Sequence, residues 1–304
     1  MTATDTVFAG SIPAIYDQYM VPLIFEPYAR LVAERAAAFD ARRILETAAG
    51  TGVVTEQLHR ALPGADIIAT DLNAPMLEQA ARRVSAPNVR FQPADAQALP
   101  FDDGSFDLVV CQFGVMFFPD KVRANSEAHR VLRDGGRYML VIWDRIEHNL
   151  ATMAAGRAVA ELFPMDAVRF YERVPFRYHD VGQIEQDLLA AGFNDVEFET
   201  VELRSSSGCT VSISVERLSA CWVMAVGSSS PARFRLPTTR TSSGSATFIS
   251  VKISWIRSGS TCSSSLVSRS ESFLNVVGTV TFAVSMTALS SKYGPDSVIG
   301  STAR

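Results

Sequence analysis

What most limits the folds open to this chain is an alternation of short apolar runs with helical stretches, sustained to about residue 204. After a helical pattern over residues 21–39, with Ile24, Tyr28 and Leu31 on one face, apolar runs recur at residues 44–45, 67–69, 89–91, 108–110 and 138–143. Between them, Val54, Leu58 and Leu62 share one helix face before a Pro-Gly stop, and Met76, Ala80 and Val84 share another. Val131 and Leu132 close a third helix before Asp134-Gly135-Gly136. Strands joined by crossover helices imply an α/β fold: a Rossmann-like, doubly wound, mainly parallel sheet with helices on both faces. Residues 180–203 read differently. A helix capped by Asp180 leads into an alternation of Val196, Phe198, Thr200 and Leu203, a half-exposed strand suited to a sheet edge.

The loops of such a sheet carry its chemistry, and the first loop is a glycine turn. In the stretch Arg42 to Leu58, RRILETAAGTGVVTEQL, a buried strand ending at Glu46 runs through Gly50 and Gly52 into a helix. Glycine lets backbone N–H groups approach a nucleotide-like ligand with no Cβ in the way. Asp71 ends the second strand, 21 residues after Gly50, where a carboxylate can accept both hydroxyls of a ribose. An NAD-binding protein shares these two features. A third separates the readings: Asp95 ends the third strand, so three carboxylates line one crevice. Such a rim repels a pyrophosphate and suits a ligand bearing an ammonium, a sulfonium, a ribose and an adenine amine.

S-adenosylmethionine is such a ligand. The segments Glu46 to Gly52, Asp71, Asp95-Ala96, LPFDDGSFDLVV and EAHRVLRDGGRYMLVIWD resemble, in order, the motifs of class I S-adenosylmethionine-dependent methyltransferases. The resemblance covers roughly residues 10 to 203 and is nearest to the small-molecule branch that includes ubiquinone and menaquinone C-methyltransferases. It implies a seven-stranded sheet with a reversed last strand and a cofactor across the carboxyl ends of the first strands. It also implies roles for particular residues. Gly50 and Gly52 would pass under the methionine portion, Glu46 would hold its amino group directly or through water, and Asp71 would take the ribose diol. Leu72 would pack on the adenine, Asp95 would accept from its amine, and the Ala96 N–H would donate to a ring nitrogen. Gln112 and Phe113 would border the methionine and the acceptor. The family usually has glycine where this chain has Ala48, and the turn is expected to tolerate the extra methyl because its Cβ points away from the ligand.

The implied reaction is in-line displacement at the sulfonium methyl, in which the protein aligns a small-molecule acceptor and excludes water. It needs little acid–base apparatus. For a phenol or an acidic carbon a base would help, and Asp144 and His148, just past the fifth strand, are the available candidates. His129, in EAHRVLR, belongs to a helix on the flank of the sheet and reads as structural. Phe163, Phe170, Tyr171, Phe176 and Tyr178 could cap an apolar acceptor or simply pack, and Tyr16, Tyr19 and Arg30 could close over the cofactor carboxylate. Two other readings stay open: a nicotinamide-dependent oxidoreductase on a similar sheet, and a non-catalytic or damaged cofactor-binding relic. Against the first, no glycine follows Gly52 at the helix-packing position of a dinucleotide fingerprint.

Composition bounds the rest. No run of about 18 apolar residues is present, and the first residues lack the basic start and apolar core of a secretory signal, so a cytoplasmic protein with no membrane span is expected. Cys111, Cys209, Cys221 and Cys262 show no regular spacing, which indicates neither a metal site nor a disulfide framework. Residues 1–204 hold 19 basic and 29 acidic residues, whereas residues 205–304 hold 9 and 3. An acidic first part makes nucleic acid an unsuitable partner. Serine makes up about a quarter of residues 205–304 and the periods there read as irregular. The expected organisation is therefore a helical cap over residues 1–40, a cofactor-binding domain over 41–204, and a Ser-rich tail over 205–304 that is frame-shifted, foreign or disordered. A genuine second domain is the alternative, and the last strand of the sheet is left unplaced.

Overall fold

The computed structural model describes residues 10, 12–149, 152–153, 156–157, 170–204 and 248–257. All of them belong to the first of two compact units, Met1–Ser264. The strands are β1 (Arg43–Thr47), β2 (Asp66–Asp71), β3 (Val89–Pro93), β4 (Phe106–Gln112), β5 (Leu132–Trp143), β6 (Asp195–Arg204) and β7 (Phe248–Arg257). They form one seven-stranded sheet in the order β3-β2-β1-β4-β5-β7-β6. The first five pair in parallel, and β7 runs antiparallel to both its neighbours. The doubly wound sheet is the one read from the sequence, and the single reversed strand is the one the family resemblance implies. The order reverses between β1 and β4, the point at which open α/β sheets leave a crevice outside their carboxyl ends.

Burial follows the sequence pattern. Ile44, Leu45, Ile67, Leu108, Val109, Val110, Met139, Leu140 and Ile142 are fully enclosed, as strands covered on both faces require. Around the sheet lie α1 (Ile12–Ile15), α2 (Glu26–Ala37), α3 (Val53–Ala61), α4 (Ala74–Arg83), α5 (Lys121–Val131) and α6 (Val181–Ala190). Asp120 caps α5 by accepting from the Arg123 N–H at 2.9 Å, and Asp180 caps α6 through the Gln183 N–H at 2.9 Å. His129 sits on the flank in α5, its ring edge-on to Phe193 at 4.9 Å. Among the described residues no helix is long and apolar enough to cross a membrane.

Two elements depart from the sequence reading. The single helix expected over residues 21–39 is instead a π-helical segment, Tyr16–Phe25, followed by α2. The Glu26 N–H bonds to the Val21 carbonyl five residues back, and Pro22 within this turn has no N–H to give an α-helical ladder. Pro27 then sits in the first turn of α2, where its missing donor costs nothing. The second departure is β7. It comes from the stretch read as a Ser-rich tail, yet Phe248–Arg257 pairs with β5 along Val251–Arg257 and with β6 along its whole length. Its sequence, FISVKISWIR, does alternate, but the serine-rich flanks hide the period. The edge position expected for residues 195–203 holds, because β6 is the outer strand. Residues 205–247 and 258–304, the rest of the stretch read as a frame-shifted, foreign or disordered tail, lie outside the described residues.

Candidate functional site

The carboxyl ends of β1, β2, β3, β4 and β5 place Glu46, Asp71, Asp95, Gln112 and Asp144 along one rim of the sheet. Beyond β1 the chain turns sharply. Ala48, Gly50 and Gly52 all take positive φ, at 53°, 56° and 79°. Gly52 is required twice over, since a Cβ there would also lie 2.8 Å from that of Ala80 on α4. A Cβ on Gly50 would meet nothing within 4 Å, so the face of this turn is open. The Ala48 methyl is turned onto Gly114, where an added Cβ would lie only 2.4 Å from it.

Asp71 joins two loops. One oxygen accepts from the Gly50 N–H at 2.9 Å and the other from the Asn73 N–H at 2.8 Å. The Asn73 side-chain amide adds a longer bond to that second oxygen at 3.3 Å, the contact a ligand hydroxyl would have to displace. Burial pushes the Asp71 pKa up against these hydrogen bonds. Glu46 is more enclosed, at 2 % exposure, and takes a 2.5 Å hydrogen bond from the Thr55 hydroxyl of α3. Burial raises its pKa to about 8, with Asp71 adding to the rise and Thr55 opposing it. Asp95 is exposed and accepts from the Gln97 N–H at 2.9 Å. Beside Asp71 stands Leu72, a leucine 64 % exposed at the mouth of the site.

Two polar atoms at the site are buried with no hydrogen-bond partner among the described residues: the Thr51 hydroxyl in the glycine turn and the Gln112 side-chain carbonyl after β4. An unpaired buried polar atom costs about 1–3 kcal/mol, so both invite a ligand or water. Next to Gln112, Phe113 is held at φ 55° and stacks on Trp143 at 3.8 Å. Phe25 and Tyr28 pack on the same pair of rings. The N-terminal segment thereby leans over the rim. Tyr16 stacks on Phe25 at 4.9 Å, and its phenol is held neutral by burial, with the carboxylates of Asp71 and Asp17 adding to the effect. Asp17 pairs with Arg83 of α4, which also donates to the Thr51 carbonyl at 3.0 Å and reaches Glu56 of α3 at 3.1 Å. Arg83 thus pins the segment to the glycine turn. The sequence reading does not single out Arg83, Asp17, Thr55 or Gly114, because each acts through a partner distant in sequence.

Asp144 and His148 meet after β5, with the His148 Nδ1 2.7 Å from an Asp144 oxygen. Arg30 is engaged on the surface with Glu26 at 2.5 Å. Among the aromatics considered as a cap, Phe176 and Tyr178 are buried. Phe176 packs on Trp143 at 5.6 Å, and the Tyr178 hydroxyl donates to Asp187 at 2.8 Å, so both are packing residues. Tyr171 is partly buried against the core. Phe163 and the side chain of Phe170 lie outside the described residues.

Fold and rim together define a Rossmann-like protein shaped for a nucleoside-bearing cofactor. Comparison with known proteins narrows this. Residues 44–136 match the family model of a methyltransferase domain. The chain is 30 % identical over 208 residues to the ubiquinone/menaquinone biosynthesis C-methyltransferase of Stutzerimonas stutzeri, covering 63 % of this chain and 81 % of that protein. It is 44 % identical over 102 residues to the demethylmenaquinone methyltransferase of Thermus thermophilus, covering 33 % and 46 %. The match thus spans only about half the length of the Thermus protein. A chain in the complex of the Haloferax volcanii Trm112 methyltransferase activator with a methyltransferase superposes with a TM-score of 0.51 at 14 % identity, covering 86 % of this chain and 99 % of that one. This chain belongs to the class I S-adenosylmethionine-dependent methyltransferases.

Proposed function

We propose that this protein transfers a methyl group from S-adenosylmethionine to a small-molecule acceptor. The observation that carries the reading is the succession of Glu46, Asp71 and Asp95 on adjacent strand ends around the open face of Gly50. The residues present fit the cofactor: Leu72 offers an exposed apolar face for adenine, and the unpaired Thr51 and Gln112 oxygens offer polar contacts to its methionine end. When bound, S-adenosylmethionine supplies an electrophilic methyl group and a neutral thioether leaving group.

The protein's own residues do the rest. Glu46, once ionised, holds the ammonium; Asp71 accepts from the ribose diol; Asp95 and the Ala96 N–H take the adenine edge. Ala48, Gly50 and Gly52 keep the turn low enough for that ligand to lie across it. Gln112 and Phe113 border the reacting end, and the aromatic wall of Phe25, Tyr28, Phe113 and Trp143 excludes water from it. A residue that only orients and desolvates can supply much of the acceleration in a displacement of this kind. The names of the relatives make quinone-type rings the first acceptors to try, and the acidic first 204 residues disfavour nucleic acid. Incubating the protein with methyl-labelled S-adenosylmethionine and a cell extract, followed by mass spectrometry, should reveal one labelled small molecule. Label appearing only in macromolecules would overturn the reading.

A further inference from the structure

Beyond the carboxylate rim, the carboxyl end of β5 carries a second constellation. Asp144, the residue after this strand, is 3 % exposed although it is an acid. One of its oxygens accepts from the Arg145 N–H at 2.8 Å, and the other lies 2.7 Å from His148 Nδ1. The intervening chain is a single 3-10 turn, Ile146–His148, closed by the His148 N–H to the Arg145 carbonyl at 3.0 Å. Asn149, itself buried, braces that turn by donating to the carbonyls of Asp144 and Arg145 at 3.3 and 3.1 Å. The His148 side chain is 53 % exposed. Among the described residues Asp144 is its one ion-pair partner.

This arrangement has a chemical consequence. A buried carboxylate facing Nδ1 holds the proton of a neutral imidazole on that nitrogen, which leaves the lone pair on Nε2. It also faces the positive charge that the ring acquires on taking a second proton. A histidine placed only for packing needs neither feature. The dyad stands on the rim that carries Gln112, one residue past Trp143, which stacks on Phe113. On the proposed function, that is the acceptor end of the crevice.

We propose that His148 is the general base of the reaction and Asp144 its positioning residue, so that the acceptor carries a weakly acidic hydroxyl, as a phenol, enol or hydroquinol does. His148 Nε2 takes the hydroxyl proton, and the electron pair of the O–H bond stays on the acceptor, whose oxygen or conjugated carbon forms the new bond to the methyl group as the methyl–sulfur bond breaks and leaves its pair on the neutral thioether. An acceptor methylated at carbon then loses that carbon's proton to water and regains its ring. The proposal rests on the methyltransferase reading, and the test separates the two.

The test uses the full-length protein and two reactions. In the first, S-adenosylhomocysteine and iodomethane give S-adenosylmethionine and iodide, which requires the cofactor site but moves no proton. In the second, S-adenosylmethionine methylates 1,4-dihydroxynaphthalene. General-base assistance is worth on the order of 100-fold or more. In His148→Ala, the ratio of the second rate to the first should fall by about that factor, and added imidazole should recover part of it. In Asp144→Asn, kcat for the hydroquinol should fall with little change in KM. A ratio within about threefold of the unmodified protein, or no response to imidazole, would overturn the proposal. Nitrogen-15 NMR of the labelled histidines gives a readout free of turnover: His148 should carry its proton on Nδ1, and Asp144→Asn should abolish that preference. A proton on Nε2 in the unmodified protein would overturn the proposal even if no methyl transfer were seen. Failure of the unmodified protein to bind S-adenosylhomocysteine would count against the methyltransferase reading instead.

Discussion

The methyl group of Ala48 and the bare backbone of Gly114 occupy one space: a Cβ on Gly114 would lie 2.4 Å from that of Ala48 and 3.0 Å from the Cys111 sulfur. Neither neighbour is a flexible side chain that could swing aside. The chain therefore accommodates an alanine at a left-handed position, φ 53°, by leaving no side chain opposite it. Gly114→Ala should cost about 1–3 kcal/mol, the range for overpacking a tight core. Ala48→Gly alone should change stability little, because relief of the left-handed strain, about 1–2 kcal/mol, is offset by the freedom glycine gains in the unfolded chain. In the double variant most of the Gly114→Ala loss should be recovered. Urea unfolding of the four proteins gives the coupling, and additive effects would show that the two residues do not meet.

Glu46 offers a test through its proton. Its pKa of about 8 in the folded protein, set first by burial, stands above the usual carboxyl range. The folded state therefore binds more protons than the unfolded one between about pH 4.5 and 8, and stability falls as pH rises through that window. An ammonium ion brought beside Glu46 favours the opposite, ionised form. Binding S-adenosylmethionine at pH 7 should thus release protons, up to about one per site. Calorimetry in buffers of different ionisation enthalpy measures that number. Glu46→Gln should bring it near zero, and uptake of a proton on binding would contradict the assignment.

Asp107 separates stability from the site. It lies at the opposite end of β4, where it accepts from the Arg42 and Arg43 N–H groups at 2.8 and 2.9 Å and pairs with Arg133. Burial works to raise its pKa, but these hydrogen bonds and the guanidinium outweigh it, and the net shift is downward. Its contribution is present above the ordinary carboxyl range and is lost as pH falls through the lowered value. Asp107→Ala should lower stability by about 1–2 kcal/mol at pH 7 through loss of these hydrogen bonds and the Arg133 pair, with water taking over the exposed Arg42 and Arg43 N–H groups. The difference from the unmodified protein should shrink in acid, and cofactor affinity should be unchanged. Thermal melts from pH 3 to 7 check this.

Much of this architecture is legible in the sequence because it is local. The apolar runs that become β1 to β5, the cap Asp180 and the glycine turn are all set by neighbours within a few residues. The carboxylate rim is legible for the same reason, since three acids each end a strand and the fold aligns strand ends. What escapes is what depends on distant partners. Arg83 is one charged residue in the last turn of a helix until Asp17 and the Thr51 carbonyl come to it. Gly114 carries no pattern of its own and matters only against Ala48. The alternation of β7 is real but short, and its serine-rich surroundings outweigh it in any window wide enough to judge composition. The π-helical segment Tyr16–Phe25 is a different case: Pro22 lies in plain view, but apolar periodicity alone does not distinguish a π-helical turn from an α-helical one.

The central claim is that the crevice above Gly50 takes S-adenosylmethionine rather than a dinucleotide. Isothermal titration of the full-length protein tests it most directly, with S-adenosylhomocysteine and S-adenosylmethionine set against NAD and NADP, and with Asp71→Ala as the control variant. The account predicts saturable heat with the two sulfur nucleosides and none with the dinucleotides. In Asp71→Ala the affinity should fall about 30- to 150-fold, equivalent to the 2–3 kcal/mol of a hydrogen-bonded charged partner. Saturable binding of NAD with no heat from S-adenosylmethionine would contradict it.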